Sequence, residues 1–224
     1  MIRLSEKITA HVQTRIFNGG YRTGERLPPE LELAKEHRVS RSVIRESLRN
    51  LESLGLVTVK KGPKGGIFVS RHYHKPISDS LQGLVNAGRI TEDNIFDTRL
   101  LLEVHAAEQA AIYAGEDDID YLRSVLVIPR EKEADAKWLQ ANRSKFHLGL
   151  AKASKNPVLE VLMNGLIVLL RQYFKDFHDI GFERQSLVSY ANILDSIETR
   201  RPETARLLME EYIRGMRKFM RQLP

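Results

Sequence analysis

Cysteine is absent from all 224 residues, which excludes disulfides, thiolate nucleophiles and cysteine-ligated metal and suits a reducing compartment. No apolar run approaches the roughly 18 residues of a membrane span. The N-terminus, Met-Ile-Arg-Leu-Ser-Glu, lacks the apolar core of a secretory leader. These absences predict a soluble, cytoplasmic protein that does not engage a membrane. Catalytic signatures are missing as well: there is no nucleophile elbow, phosphate loop, His-Glu-x-x-His or paired His–carboxylate motif, so the chain is not expected to be an enzyme. Aspartate is missing from residues 1–75, which carry 15 Lys+Arg against 7 Glu, whereas the remainder carries 20 against 22 acidic residues. The net +6 is therefore +8 on the first third and −2 on the rest, a distribution that suits a phosphate-facing domain joined to a near-neutral one.

What is present in the basic third has an order. A short amphipathic helix, Glu30 to His37, meets a tight turn at Arg38 and Val39. Ser40 then stands as N-cap of a second helix carrying Arg41, Arg45 and Arg49 at i, i+4, i+8. Ile44, Leu48 and Leu51 form a separate apolar stripe, and Gly55 closes the helix. Val57 to Lys60 and Ile67 to Ser70 read as strands joined by Lys61-Gly62-Pro63-Lys64-Gly65-Gly66. A preceding helix, about Ser5 to Phe17, offers Ile8, Val12 and Ile16 as its packing face. Taken alone, the arginine stripe is compatible with a solvated helix face. Between a helix-turn-helix and a lysine-bearing hairpin it reads as a recognition helix, with Ser40, Arg41, Ser42, Arg45 and Arg49 facing DNA and Lys60, Lys61, Lys64 and Gly65 on a wing.

This segment resembles the DNA-binding domain of the GntR family of bacterial transcription regulators. The resemblance rests on Leu27-Pro28-Pro29-Glu30, Val39-Ser40-Arg41, Ile44-Arg45-Glu46-Ser47-Leu48, Gly55-Leu56-Val57 and Gly65-Gly66-Ile67-Phe68-Val69. It implies DNA contact by Arg41 and Arg45 and a wing tip in the minor groove. Where the family usually places a further DNA-contacting arginine this chain has Leu31, which implies an operator of its own.

Arg71-His72-Tyr73-His74-Lys75-Pro76 has no clear period and reads as a linker, giving a winged helix-turn-helix domain over 1–75 and an all-helical effector-binding and dimerisation domain over 76–224. Helices are expected at Thr91 to Ala114, Asp118 to Val127, Trp138 to Ala153, Asn156 to His178, Glu183 to Thr199 and Pro202 to Met220. The fold class is thus mostly α, a winged helix-turn-helix followed by an antiparallel helical bundle.

Asp97-Thr98-Arg99-Leu100-Leu101-Leu102-Glu103, Lys145-Phe146-His147 and Ala153-Ser154-Lys155-Asn156-Pro157 resemble the effector domain of the FadR-like branch of that family. Many members hold a metal through an aspartate, a histidine four residues on and two later histidines. The corresponding places here are Arg143, His147, Tyr190 and Tyr212. One imidazole, two phenols and a guanidinium do not suit a divalent metal, so no metal or other cofactor is expected. The same tyrosine replacements mark the acyl-CoA-responsive member for which the branch is named. The resemblance therefore implies effector contacts at Arg99, Arg143, His147, Tyr173, Tyr190 and Tyr212, although each could equally be a core residue, and Arg99 with Glu103 a simple i, i+4 helix pair.

The resulting expectation is a homodimeric repressor bound to a pseudo-palindromic DNA operator and released by a small anionic effector. The candidate effector is a long-chain acyl-CoA, and the alternative is metal-independent regulation of organic-acid or sugar-acid catabolism. An architectural DNA binder would not need so large a helical domain, and an enzyme reading would rest on His147 alone.

Overall fold

The computed structural model describes residues 3–63, 65–70 and 73–222. It divides into two compact units, 1–79 and 80–224.

In the first unit, α1 (Leu4–Phe17) buries Ile8, Val12 and Ile16 along one stripe. It crosses α3 (Arg41–Ser53) at small polar residues, where the Ser47 hydroxyl donates to the Ser5 carbonyl at 2.8 Å and the Thr9 hydroxyl to the Ser47 carbonyl at 3.4 Å. Small side chains let the two backbones approach, and the hydroxyls keep that approach hydrogen-bonded. Between them, α2 (Glu30–His37) stops at Arg38, which adopts the left-handed conformation at φ 54°. That reversal delivers the chain to Ser40, whose hydroxyl caps α3 by accepting from the Val43 N–H. Gly55, at φ +70°, ends α3; a Cβ there would be strained and would lie 2.8 Å from the Pro76 ring.

Strands β1 (Val57–Lys60) and β2 (Gly66–Val69) pair antiparallel from Val57↔Val69 to Lys60↔Gly66. The second strand begins one residue earlier than its sequence suggests. Residues 24–27 line the other edge of β2, with the Leu27 N–H donating to Ile67 O and the Val69 N–H to Glu25 O, each at 2.8 Å. The core of this unit gathers Leu27, Leu33, Ile44, Leu48, Leu51, Leu56 and Val69 with the α1 stripe.

The division between the units falls inside α4 (Lys75–Asn86). The expected linker is thus shortened: Lys75 and Pro76 are the first two residues of a helix. Proline is tolerated there because first-turn N–H groups have no partner to lose. Arg71 and His72 lie outside the described residues.

The second unit is a helical bundle of α5 (Glu92–Tyr113), α6 (Glu116–Leu126), α7 (Ala136–Ala153), α8 (Pro157–Tyr173), α9 (Ile180–Glu198) and α10 (Pro202–Met220), with a 3-10 turn at Arg130–Lys132. Thr91 and Asn94 cap α5 reciprocally, and Asp135 and Asn156 cap α7 and α8. Helix α8 ends five residues before the expected His178. The Gln140 amide donates to the carbonyls of Phe174 and Phe177, fixing an irregular segment, and Asp179 caps α9 through the Phe182 N–H at 2.7 Å. Helix α5 lies at the centre, burying Ala106, Ala107, Ala110 and Ala111 against its neighbours. Among the described residues no helix is long and apolar enough to cross a membrane.

Candidate functional site

Among the described residues, the side chains expected to be functional gather in two places. On α3, Ser40, Arg41, Ser42, Arg45 and Arg49 are all exposed, while Ile44, Leu48 and Leu51 on the opposite stripe are buried. Glu30, at the start of α2, holds the Arg45 guanidinium in a fork, with Nε 3.3 Å from one carboxylate oxygen and Nη2 3.0 Å from the other. Arg41 reaches the same carboxylate at 3.7 Å. The Arg45 hydrogen bond holds the Glu30 carboxyl below its ordinary range. Two arginines are thereby set side by side at the head of α3 before any nucleic acid arrives. The Ser40 and Ser42 hydroxyls lie 2.7 Å apart beside them.

On the hairpin, Lys60 and Lys61 are exposed, and the Lys60 ammonium sits 4.8 Å from the centre of the Phe68 ring. Lys64 lies outside the described residues. Gly65 closes the tip: a Cβ there would come within 2.4 Å of the Lys60 carbonyl oxygen, so the turn cannot accept a side chain.

In the bundle, five of the six expected effector residues converge and the sixth does not. Arg99 and Glu103 form a fully buried fork, with Nε–Oε1 at 2.6 Å and Nη2–Oε2 at 3.2 Å. The i, i+4 pair is therefore an interior ion pair, not surface helix support. Glu103 Oε2 also lies 2.7 Å from His147 Nδ1, off the line an aligned ring N–H hydrogen bond would take. His147 Nε2 is 3.0 Å from the Tyr190 hydroxyl, which donates to the Tyr212 hydroxyl at 2.6 Å. A polar chain thus runs from Arg99 on α5 through α7 and α9 to α10. Tyr173, by contrast, is 37 % exposed at the end of α8 and packs on Phe174, apart from this group.

The electrostatics follow from burial. Burial alone would raise the Glu103 carboxyl, but Arg99 and His147 hold it well below the carboxylate range. Burial pushes His147 below the usual imidazole value, while the Glu103 carboxylate draws it back up. The Tyr190 phenol is raised, first by burial and then by Tyr212. Arg143 is largely buried and lies 3.5 Å from Glu183, whose carboxyl is pushed upward by burial more than Arg143 draws it down, with Asp179 adding to the rise.

Arg99, Arg143, His147 and Met216 border a small cavity of about 30 Å³ that also touches Arg171 and Ser144. That volume holds about one water molecule. The donors present do not fit a divalent metal: one imidazole, two phenols and a Glu103 carboxylate already paired with Arg99 face two guanidinium groups, whose charge would repel a cation. No cluster of metal-ligating side chains exists among the described residues.

Sequence reasoning missed Glu183, Arg171 and Met216. Glu183 lies at i−3 and i−7 from Ser186 and Tyr190, and Met216 at i+4 from Tyr212, so each shares a buried helix face with residues that were identified. That spacing was a usable signal. Arg171 is near the end of an apolar helix and carried none.

Comparison with known proteins identifies both halves of the chain. Residues 4–69 match the model of the bacterial regulatory proteins, gntR family, and residues 94–215 match that of the FCD domain. The chain is 32 % identical over 165 residues to the HTH-type transcriptional regulator LutR of Bacillus subtilis, covering 74 % of each. It is 28 % identical over 225 residues to the Uxu operon transcriptional regulator of Escherichia coli, covering 95 % of this chain and 84 % of that one. Among solved structures, Streptococcus agalactiae GntR superposes with a TM-score of 0.69 at 26 % identity, over 96 % of this chain and 100 % of that one.

Proposed function

We propose, since the chain belongs to the gntR family of bacterial regulatory proteins and carries an FCD domain, that this DNA-binding transcription regulator is a homodimeric repressor released from its operator by a small organic-acid anion. The carrying observation is the water-sized cavity bordered by Arg99, Arg143 and Arg171. Arg99 is already neutralised by Glu103 through a close fork, whereas Arg143 meets Glu183 only at 3.5 Å and without a hydrogen bond to Oε1, so its donors are left for a ligand. Direct recognition of a carboxylate by guanidinium takes the place of recognition through a metal. A water-sized cavity must open for any of these ligands, and a small organic or sugar acid asks for far less opening than the tail of a long-chain acyl-CoA.

The proposed DNA contacts are Ser40, Arg41, Ser42, Arg45 and Arg49 in the major groove, with the wing lysines at the backbone and the Gly65 tip in the minor groove. A single α3 spans too few bases for genomic specificity, so two copies should read a pseudo-palindrome. Anion binding weakens DNA binding if the anion prefers the DNA-incompetent arrangement.

The test is fluorescence anisotropy on the promoter of the protein's own operon, with succinate, citrate, a hexuronate and palmitoyl-CoA as additions. One of the small acids should release DNA and palmitoyl-CoA should not. Arg143→Met should keep DNA affinity and lose the response. Release by palmitoyl-CoA alone, or stoichiometric zinc or nickel in the purified protein, would overturn this reading.

Charge at Glu183 should make anion binding depend on pH. Because Glu183 has a raised pKa, it is neutral on the acid side and gains a negative charge next to Arg143 as pH rises through that value. Anion affinity should therefore fall with rising pH, and Glu183→Gln should flatten the profile severalfold toward its acid limit, as calorimetry across the range would measure. On the wing, Lys60→Ala or Lys61→Ala should weaken binding to all DNA sequences alike and reduce the salt slope by about one unit for each phosphate left unneutralised. A change of base preference at constant slope would contradict the backbone role.

A further inference from the structure

The small cavity at Arg143 is not the only space near these arginines. An open groove of about 370 Å³ runs between α9 and α10, bordered by Ser189, Asn192, Tyr212, Gly215 and Lys218 among others. Cavity and groove have one lining residue in common, Met216. Its side chain is buried, and its thioether sulfur is the point on which both guanidinium groups converge: Arg99 Nη1 lies 2.7 Å from Sδ and Arg143 Nη1 lies 3.7 Å away.

A thioether is a weak acceptor, and two buried cationic donors aimed at one are poorly served. A carboxylate oxygen in the same place would make charge-assisted hydrogen bonds roughly twice as strong as neutral ones. Methionine is also the apolar side chain best able to vacate a position, being unbranched with three rotatable bonds. The groove, which Met216 itself borders, gives it somewhere to go.

We propose that Met216 is both the door and the resident competitor of the anion site. In the unliganded protein its sulfur occupies the acceptor position of Arg99 and Arg143. A small carboxylate entering along the α9–α10 groove displaces it, joining groove and cavity into one site. This rests on the carboxylate reading above and adds to it the route of entry and the residue that sets the threshold for binding.

Three substitutions and one spectroscopic readout test the idea, with succinate and citrate as probes. Met216→Ala removes the competitor and should tighten binding of one or both probes by about tenfold, mostly through faster association. Met216→Leu keeps the bulk without the acceptor and should fall between wild type and Met216→Ala. Met216→Gln presents an amide oxygen to both guanidinium groups and should weaken binding by about tenfold. In wild-type protein labelled at methionine methyl carbons, the resonance that disappears in Met216→Leu should move on saturation with the probe; the shift is read in wild-type protein, and the conservative variant serves only to assign the peak. Equal affinities across wild type, Ala and Gln with an unmoved methyl resonance, while Arg143→Met abolishes binding, would overturn the door and leave the carboxylate reading standing. Failure of both probes to bind even Met216→Ala would overturn both.

Discussion

Glu103→Ala is expected to lower the unfolding free energy of the helical unit by about 3–5 kcal/mol, because it leaves the Arg99 guanidinium buried without its counter-charge. The pair is fully enclosed, and Glu103 also faces His147, so no solvent can replace the missing carboxylate. The protein's one tryptophan, Trp138, lies in α7, so denaturant unfolding followed by its fluorescence reports on this unit. A control separates charge from packing: Arg99→Met with Glu103→Leu removes both charges and should recover most of the stability, since replacing a whole buried pair with apolar residues is often neutral or better. If Glu103→Ala alone unfolds at the wild-type denaturant concentration, the pair contributes nothing and the interior reading of Arg99 is wrong. The pH dependence has a definite sign. Glu103 has a depressed folded pKa, so its contribution is full above the ordinary carboxylate value and is lost as pH falls below it. His147, also depressed, adds in the same direction: the unfolded chain takes up a proton below about 6.5 that the folded chain refuses.

The second large effect belongs to DNA. Arg45→Ala is expected to reduce operator affinity by about ten- to a hundredfold per half-site, and to relax base preference at one position, if its guanidinium forks onto a guanine. In the free protein that fork is occupied by Glu30, and Arg45 is 52 % exposed while so held. Glu30→Ala therefore serves as the companion measurement. It should leave non-specific binding intact or stronger, by removing a negative charge, while costing specificity through a less ordered Arg45. Titration of operator and scrambled duplexes at fixed salt checks both. Unchanged specificity in Arg45→Ala would displace the recognition surface from this part of α3.

The first unit was more legible than the second, for a physical reason. Its elements are short and bounded by residues with one purpose: Ser40 starts a helix, Gly55 ends one, and Gly65 allows a turn that no side chain could enter. The left-handed turn at Arg38 has no such marker, yet the helices on either side located it. In the second unit the helices were visible from their period, but their ends shifted wherever a side chain from another helix decided them, as Gln140 does for the segment after Tyr173. Of the positions that carry a family resemblance, Arg99, Arg143, His147, Tyr190 and Tyr212 are brought together by the structure. Tyr173 lies elsewhere, half-exposed at the end of α8, and Met216 offered only its helical spacing from Tyr212. A methionine on a buried face gives no sign in sequence that two arginines aim at its sulfur, because that depends on α5, α7 and α10 meeting at one point.

The alanines of α5 have a mechanical meaning. A leucine or methionine face can absorb a small push by changing rotamer, whereas a methyl group has no rotamer to change. Helix α5 is 22 residues long, roughly 33 Å at the helical rise. It carries Arg99 in its first half and Ala106, Ala107, Ala110 and Ala111 packed without slack in its second. A shift of the guanidinium at one end thus has no compliant layer to dissipate in. The helix should move as a rod, and a displacement smaller than a bond length at Arg99 would arrive at Tyr113 nearly undiminished.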